Sequence, residues 1–172
     1  ANQTAQATSL RAVPSLHVRR KTKNMFRSIL KLFQPQALPR EPFVDDILRE
    51  FHFDRDLGWK KKVTLGGVEA EIILGSDGDL PTGEMIETAR MWVAEWPSRQ
   101  TEILVYLRSQ LGKWADAPDV SKAEELQVES VNILWPNKPK MSMIYFKDPK
   151  GEGRAWHVTY DAFEPKGLGC DD

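Results

Sequence analysis

Hydrophobic and polar positions along this chain change period twice, and the changes divide it into elements. Between Glu84 and Trp114 the apolar residues recur at helical spacing: Ile86, Ala89, Trp92, Val93 and Trp96, then Ile103, Leu104, Leu107, Leu111 and Trp114. Pro97 interrupts the series at the place a second helix would begin, so the spacing predicts two amphipathic helices meeting at a corner. A shorter helical pattern, Val44, Ile47, Leu48 and Phe51, predicts a helix over 43–51, with Asp45 and Asp46 favouring its first turn through the helix dipole.

Elsewhere the period is two. Lys62–Leu65 and Val68–Leu74 read as strands of a hairpin closed by Gly66-Gly67, a dipeptide that accepts positive φ at both central positions. Leu57, Gly58 and Trp59 ahead of it read as a turn. Val128–Trp135, Met141–Lys147 and Arg154–Tyr160 read as three strands of a meander, separated by PNKPK and DPKGEG. Ser121 and Glu124 have the spacing of a capping box, and the last stretch, EPKGLGCDD, reads as a loop. The expected fold class is α+β: a mostly antiparallel sheet, hairpin plus meander, packed against a helix pair. A parallel α/β arrangement is disfavoured, because strands and helices do not alternate.

Ahead of this body, residues 1–24 show no apolar period and read as a tail. Met25–Phe33 forms a basic amphipathic segment with Phe26, Ile29, Leu30 and Phe33 on one face, and Pro35, Pro39 and Pro42 stiffen a linker. The expected division is 1–42 as tail, short helix and linker, and 43–172 as a single domain. The basic cluster Arg19, Arg20, Lys21, Lys23 is not followed by the apolar stretch of a secretory signal.

Composition is that of an ordinary globular chain, with 41% hydrophobic and 28% charged residues. No apolar run reaches the ~18 residues needed to cross a bilayer, and a lone Cys170 forms no internal disulfide. Charge changes the picture more. Residues 1–40 carry eight Lys or Arg and no acid, whereas 41–172 carry 16 bases against 25 acids, so a +8 arm precedes a −9 body. Such a body suits recruitment of a basic partner.

Candidate chemistry is sparse. Asp77, Asp79 and Glu84 fail as a calcium loop, since Pro81 stands where the next ligand belongs and no Gly occupies the sixth place. His157, Cys170, Asp171 and Asp172 invite a nucleophile, base and orienter, but Cys170 lies close to the end of the chain, where fixed geometry is hard to hold. The glycine pairs form turns rather than a phosphate-cradling loop, and one cysteine offers no zinc spacing. The segment Arg19–Lys31 lacks base-reading elements and precedes an acidic body, which disfavours nucleic acid. Of six tryptophans, Trp114 and Trp135 stand at element ends, where tryptophan serves as an interface anchor.

FDRDLGWKKKVTLGGVEAEIIL, a helix pair, SVNILW and the closing WHVTYDAFEPKGLGCDD together resemble a group of small bacterial domains of unknown function. That group shares a Leu-Gly-Trp lead-in, a hairpin, two helices and a terminal meander. Some of its members resemble immunity proteins that block a toxin by binding it, and no catalytic residues are implied. The expectation is a non-enzymatic, cytoplasmic protein-binding module, an immunity protein meeting a basic toxin domain, without metal or cofactor. Asp77, Asp79, Asp116 and Asp119 are the expected contact acids, with Trp114 as apolar anchor. The alternatives are a self-associating protein that docks residues 25–33 on a neighbouring copy, and an enzyme of unrecognised type.

Overall fold

The computed structural model describes residues 40–76, 80–114, 121–151 and 153–171, with Trp114 described for its backbone alone. The tail, the segment 25–33 and the linker up to residue 39 lie outside the described residues. The described strands are β1 (Phe43–Asp45), β2 (Arg49–Asp54), β3 (Gly58–Leu65), β4 (Val68–Leu74), β5 (Gln127–Ile133), β6 (Met141–Lys147), β7 (Ala155–Asp161) and β8 (Glu164–Asp171). They form one eight-stranded sheet in chain order. Every neighbouring pair is antiparallel except β4 and β5, which run parallel over Glu71–Leu74 and Ser130–Ile133. Parallel neighbours need a crossover, and here it is a single helix, α1 (Gly83–Leu111).

That helix corrects the expected fold class: no helix pair exists among the described residues, and the disfavoured parallel pairing occurs once. α1 runs through Pro97 without a break. The proline ring lies on the exposed face, while Trp92, Trp96, Ile103 and Leu107 on either side are buried against the sheet. Burial of that continuous stripe outweighs the backbone hydrogen bond the proline forgoes. Thr82 caps the start, its hydroxyl accepting from the Met85 N–H at 3.3 Å, and Glu84 lies in the first turn. Pro97→Ala is expected to stabilise the domain by roughly 1–2 kcal/mol, since proline costs about 3 kcal/mol in a helix interior and returns up to about 1 kcal/mol through the unfolded chain. Thermal unfolding followed by circular dichroism checks this; a lower midpoint would show that the proline is needed where it stands.

The second correction concerns residues 43–51, which form a β-hairpin rather than a helix. Asp45 decides it: its Oδ1 accepts from the N–H groups of Ile47 (3.1 Å) and Leu48 (2.7 Å), closing a turn that returns through Arg49 at φ 70°. Val44 and Ile47, which made the helical spacing, are exposed, whereas Phe43 and Phe51 stack with centroids 4.7 Å apart. Leu57-Gly58-Trp59 is likewise the entry to β3, and EPKGLGCD is the edge strand β8 rather than a loop. The Gly66-Gly67 turn stands where the pattern placed it, with φ of 58° and 83°. One core lies between α1 and the sheet. It is built on Trp92 and Met85 from the helix and on Ile72, Leu74, Val131, Ile133, Ile144 and Val158 from the strands.

Candidate binding face and its polar centres

Strand alternation sends Ser142, Ile144, Phe146, Trp156, Val158 and Tyr160 towards α1. The Trp92 indole fixes that side by donating to Ser142 Oγ at 2.9 Å. A bulge between Val128 and Ser130 keeps both Val128 and Val131 on the helix side, which strict alternation would not, and turns Ser130 and Asn132 to the opposite face. That opposite face carries Ile73, Asn132, Met143, Tyr145, His157 and Thr159 in adjoining rows across β4 to β7. No described helix packs on it.

At its β8 side three titratable groups meet. The Tyr145 and His157 rings lie 5.2 Å apart, and His157 Nδ1 stands 3.5 Å from Asp171 Oδ2, long for a hydrogen bond. Burial first, then the charge and hydrogen bond of Asp171, raise the Tyr145 phenol above its ordinary value. Gly169 makes the arrangement possible: a Cβ there would meet His157 Nε2 at 2.3 Å, so only glycine lets the imidazole lie across β8. The Asp171 side chain is 60% exposed. Cys170 pairs with Trp156 in the register and so points to the other side of the sheet, away from His157. The imagined set of nucleophile, base and orienter is therefore split by strand alternation.

The other polar centre is buried. Asp148, 2% exposed, accepts from Ser121 Oγ (2.5 Å), Trp156 Nε1 (3.0 Å) and the N–H groups of Lys150 (2.9 Å) and Gly151 (3.2 Å). Arg154 Nη1 lies 3.7 Å away. Burial alone would raise its carboxyl, but the Ser121, Trp156 and backbone donors outweigh it and hold the group well below the usual carboxylate range. With its lone pairs occupied, Asp148 organises the β6–β7 turn. Ser121 is consequently no helix cap; the reciprocal bond of that short turn is Lys122 N–H to Glu125 Oε2 at 3.0 Å.

The expected contact residues are not resolved into one site. Asp77, Asp79, Asp116, Asp119 and the Trp114 side chain lie outside the described residues. Their described flanks lie at the two ends of α1, whose 29 residues span about 43 Å. Trp135, the other proposed anchor, is half-buried just after β5, and Trp59, Trp92, Trp96 and Trp156 belong to the core. Of the 25 acids in 41–172, six (Asp77, Asp79, Asp116, Asp119, Glu152 and Asp172) stand outside the described residues. With no Lys or Arg among the undescribed positions of 41–172, these acids carry six of the nine net negative charges. Sequence reasoning misses Tyr145, Met143 and Asn132; the signal is their shared face on strands whose other face is largely apolar, Ile144 and Phe146 on β6 and Val131 and Ile133 on β5.

No protein family, curated protein or solved structure matches the chain. The resemblance to the bacterial group rests on the quoted motifs alone. Among the described residues no group of three or more His, Cys, Asp or Glu is placed to hold a metal ion, and no helix is long and apolar enough to cross a membrane.

Proposed function

We propose that this chain is a non-enzymatic, cytoplasmic protein-binding module of the toxin-neutralising kind, and that it meets its partner with the sheet face opposite α1. The observation that carries the reading is the composition of that face. Met143 supplies apolar area, the half-buried Tyr145 and His157 rings are held together at 5.2 Å, and Lys60 and Glu71 supply polar groups at the margin. Rigid aromatic anchors inside a charged rim are what binding surfaces use, because a tyrosine buries much area for little lost rotamer freedom. The −9 balance of residues 41–172 favours a basic partner and fast, salt-sensitive association.

The test is co-expression with the protein encoded by the neighbouring gene. Protection of the cell from that protein is expected, with affinity falling at least about tenfold in the Met143→Glu/Tyr145→Ala variant. A neighbour without toxicity, or undiminished protection by a folded double variant, overturns the reading.

A further inference from the structure

Among the described residues, no strand lies beside the outer edge of β3 past Lys60. β2 follows β3 only where His52–Asp54 face Gly58–Lys60, and its earlier half, Arg49–Phe51, pairs with β1 instead. The β1–β2 hairpin is drawn aside by Asp45, whose carboxylate is gripped by Arg90 of α1 at 2.5 and 3.3 Å, and by Leu48, which enters the core. The register then fixes which backbone groups are left over. A two-residue turn at Gly66-Gly67 makes Leu65 and Val68 a hydrogen-bonded pair, so Leu65, Val63 and Lys61 bond to β4. The N–H and C=O of Lys62 and Thr64 point the other way, towards the vacated side.

Along that edge runs an open groove of about 430 Å³, with Ile47, Leu48, Val63 and Val93 among its lining. Its rim is cationic. Lys62 is engaged with Glu69 at 2.8 Å, but Arg49 has no carboxylate partner among the described residues, and the Lys61 ammonium reaches only the Glu50 carbonyl at 3.5 Å.

We propose that this edge receives an extended, acidic segment of a partner protein, added as a further strand on β3. Main-chain bonds to Lys62 and Thr64 would hold it, alternate side chains would meet Ile47, Val63 and Val93, and carboxylates would reach Arg49 and Lys61. Charge selects this occupant over two others. The chain's own residues 1–40 are basic and contain no acid, and a second copy paired through β3 would set Lys61 and Lys62 against their equivalents. The site is an edge and not the face opposite α1, so it stands independently of the reading above.

A fluorescein-labelled peptide, Ser-Glu-Thr-Val-Thr-Glu-Ser with blocked ends, whose acids and valine share one face as Lys61 and Val63 do, tests it against a counterpart carrying lysine at each acid. With the full chain, saturable binding of the acidic peptide alone is expected, weakening with salt, with the Lys62 and Thr64 amides gaining protection from hydrogen exchange. Arg49→Glu/Lys61→Glu should weaken binding at least about tenfold with circular dichroism unchanged. Thr64→Pro should abolish it, since that N–H makes no bond to β4 and its loss leaves the ladder intact; if this variant does not fold, the charge reversal decides. Equal binding of the lysine peptide, no binding by either, or undiminished binding by the charge-reversed chain overturns the proposal. A dimer in solution that Lys61→Glu dissociates overturns it in favour of copy-to-copy pairing.

Discussion

Asp148→Ala is expected to lower the unfolding midpoint by roughly 10–20 °C, corresponding to a loss of about 3–5 kcal/mol. The residue is 2% exposed and receives four hydrogen bonds from Ser121, Trp156, Lys150 and Gly151. Its removal takes this acceptor from the Ser121 hydroxyl and the Trp156 indole in the interior, and the loss of a buried donor's acceptor costs about 1–3 kcal/mol. The Arg154 guanidinium, 3.7 Å away, loses a counter-charge as well. Acid supplies a second readout. Because the folded-state carboxyl is held below its ordinary value of 3.8, its contribution is fully present above that pH and is lost as pH falls below it towards the folded value. Urea titrations between about pH 5 and pH 2.5 should therefore show stability dropping in the parent protein and dropping less in Asp148→Asn, which starts lower. Parallel pH profiles for the two would show that Asp148 is not the group responsible.

Trp92→Ala is expected to cost about 3–5 kcal/mol, the range for truncating a large buried aromatic. Trp92 is wholly buried at the centre of α1, edge-on to Tyr160 (5.0 Å) and tilted against Phe163 (4.9 Å) and Trp96 (6.5 Å). Phe163 and its neighbour Ala162 form the β7–β8 turn at φ of 70° and 48°, a left-handed conformation that side chains rarely adopt. The Phe163 ring is clamped between Trp92 and the Arg99 guanidinium, 4.6 Å above it, and that clamp holds the strained turn. Loss of Trp92 should thus loosen β8 as well as the core. Trp92→Phe separates the two effects: it keeps most of the packing but leaves Ser142 Oγ without its donor, for an expected cost of about 1–3 kcal/mol. Denaturant midpoints with an unchanged slope test both values. Hydrogen exchange that quickens no more in β8 than elsewhere would remove the link between Trp92 and the turn.

Local chemistry made several elements legible. A two-glycine turn between alternating runs admits little but a hairpin, and Met141–Lys147 has one parity apolar enough to declare a strand. The helical stripe of 84–111 is equally plain, yet Pro97 reads as a boundary, because nothing in the sequence shows which face of the helix the proline occupies. On the exposed face it is tolerated. Residues 43–51 failed for the opposite reason. Their apolar spacing fits 3.6 residues, but Asp45 bonds its own turn and is held by Arg90, 45 positions away, so a distant partner decides between two local conformations. β8 has no apolar alternation to detect; it is a strand because β7 offers it a hydrogen-bonding edge and Gly169 fits beneath His157.

Legible from residue order were the helical stripe of 84–111, the alternation of β4, β6 and β7, the Gly66-Gly67 reversal and the charge contrast between arm and body. Each of these depends on residues within a few positions of one another, or on a simple count. Only packing in three dimensions settled that one helix crosses over a sheet with a single parallel pair among the described strands, and that Asp148 gathers its donors from three places in the chain. It also decided that Tyr145, His157 and Asp171 meet while Cys170 turns away. Those outcomes follow from register and burial, which join residues far apart in sequence and leave no periodic trace in it.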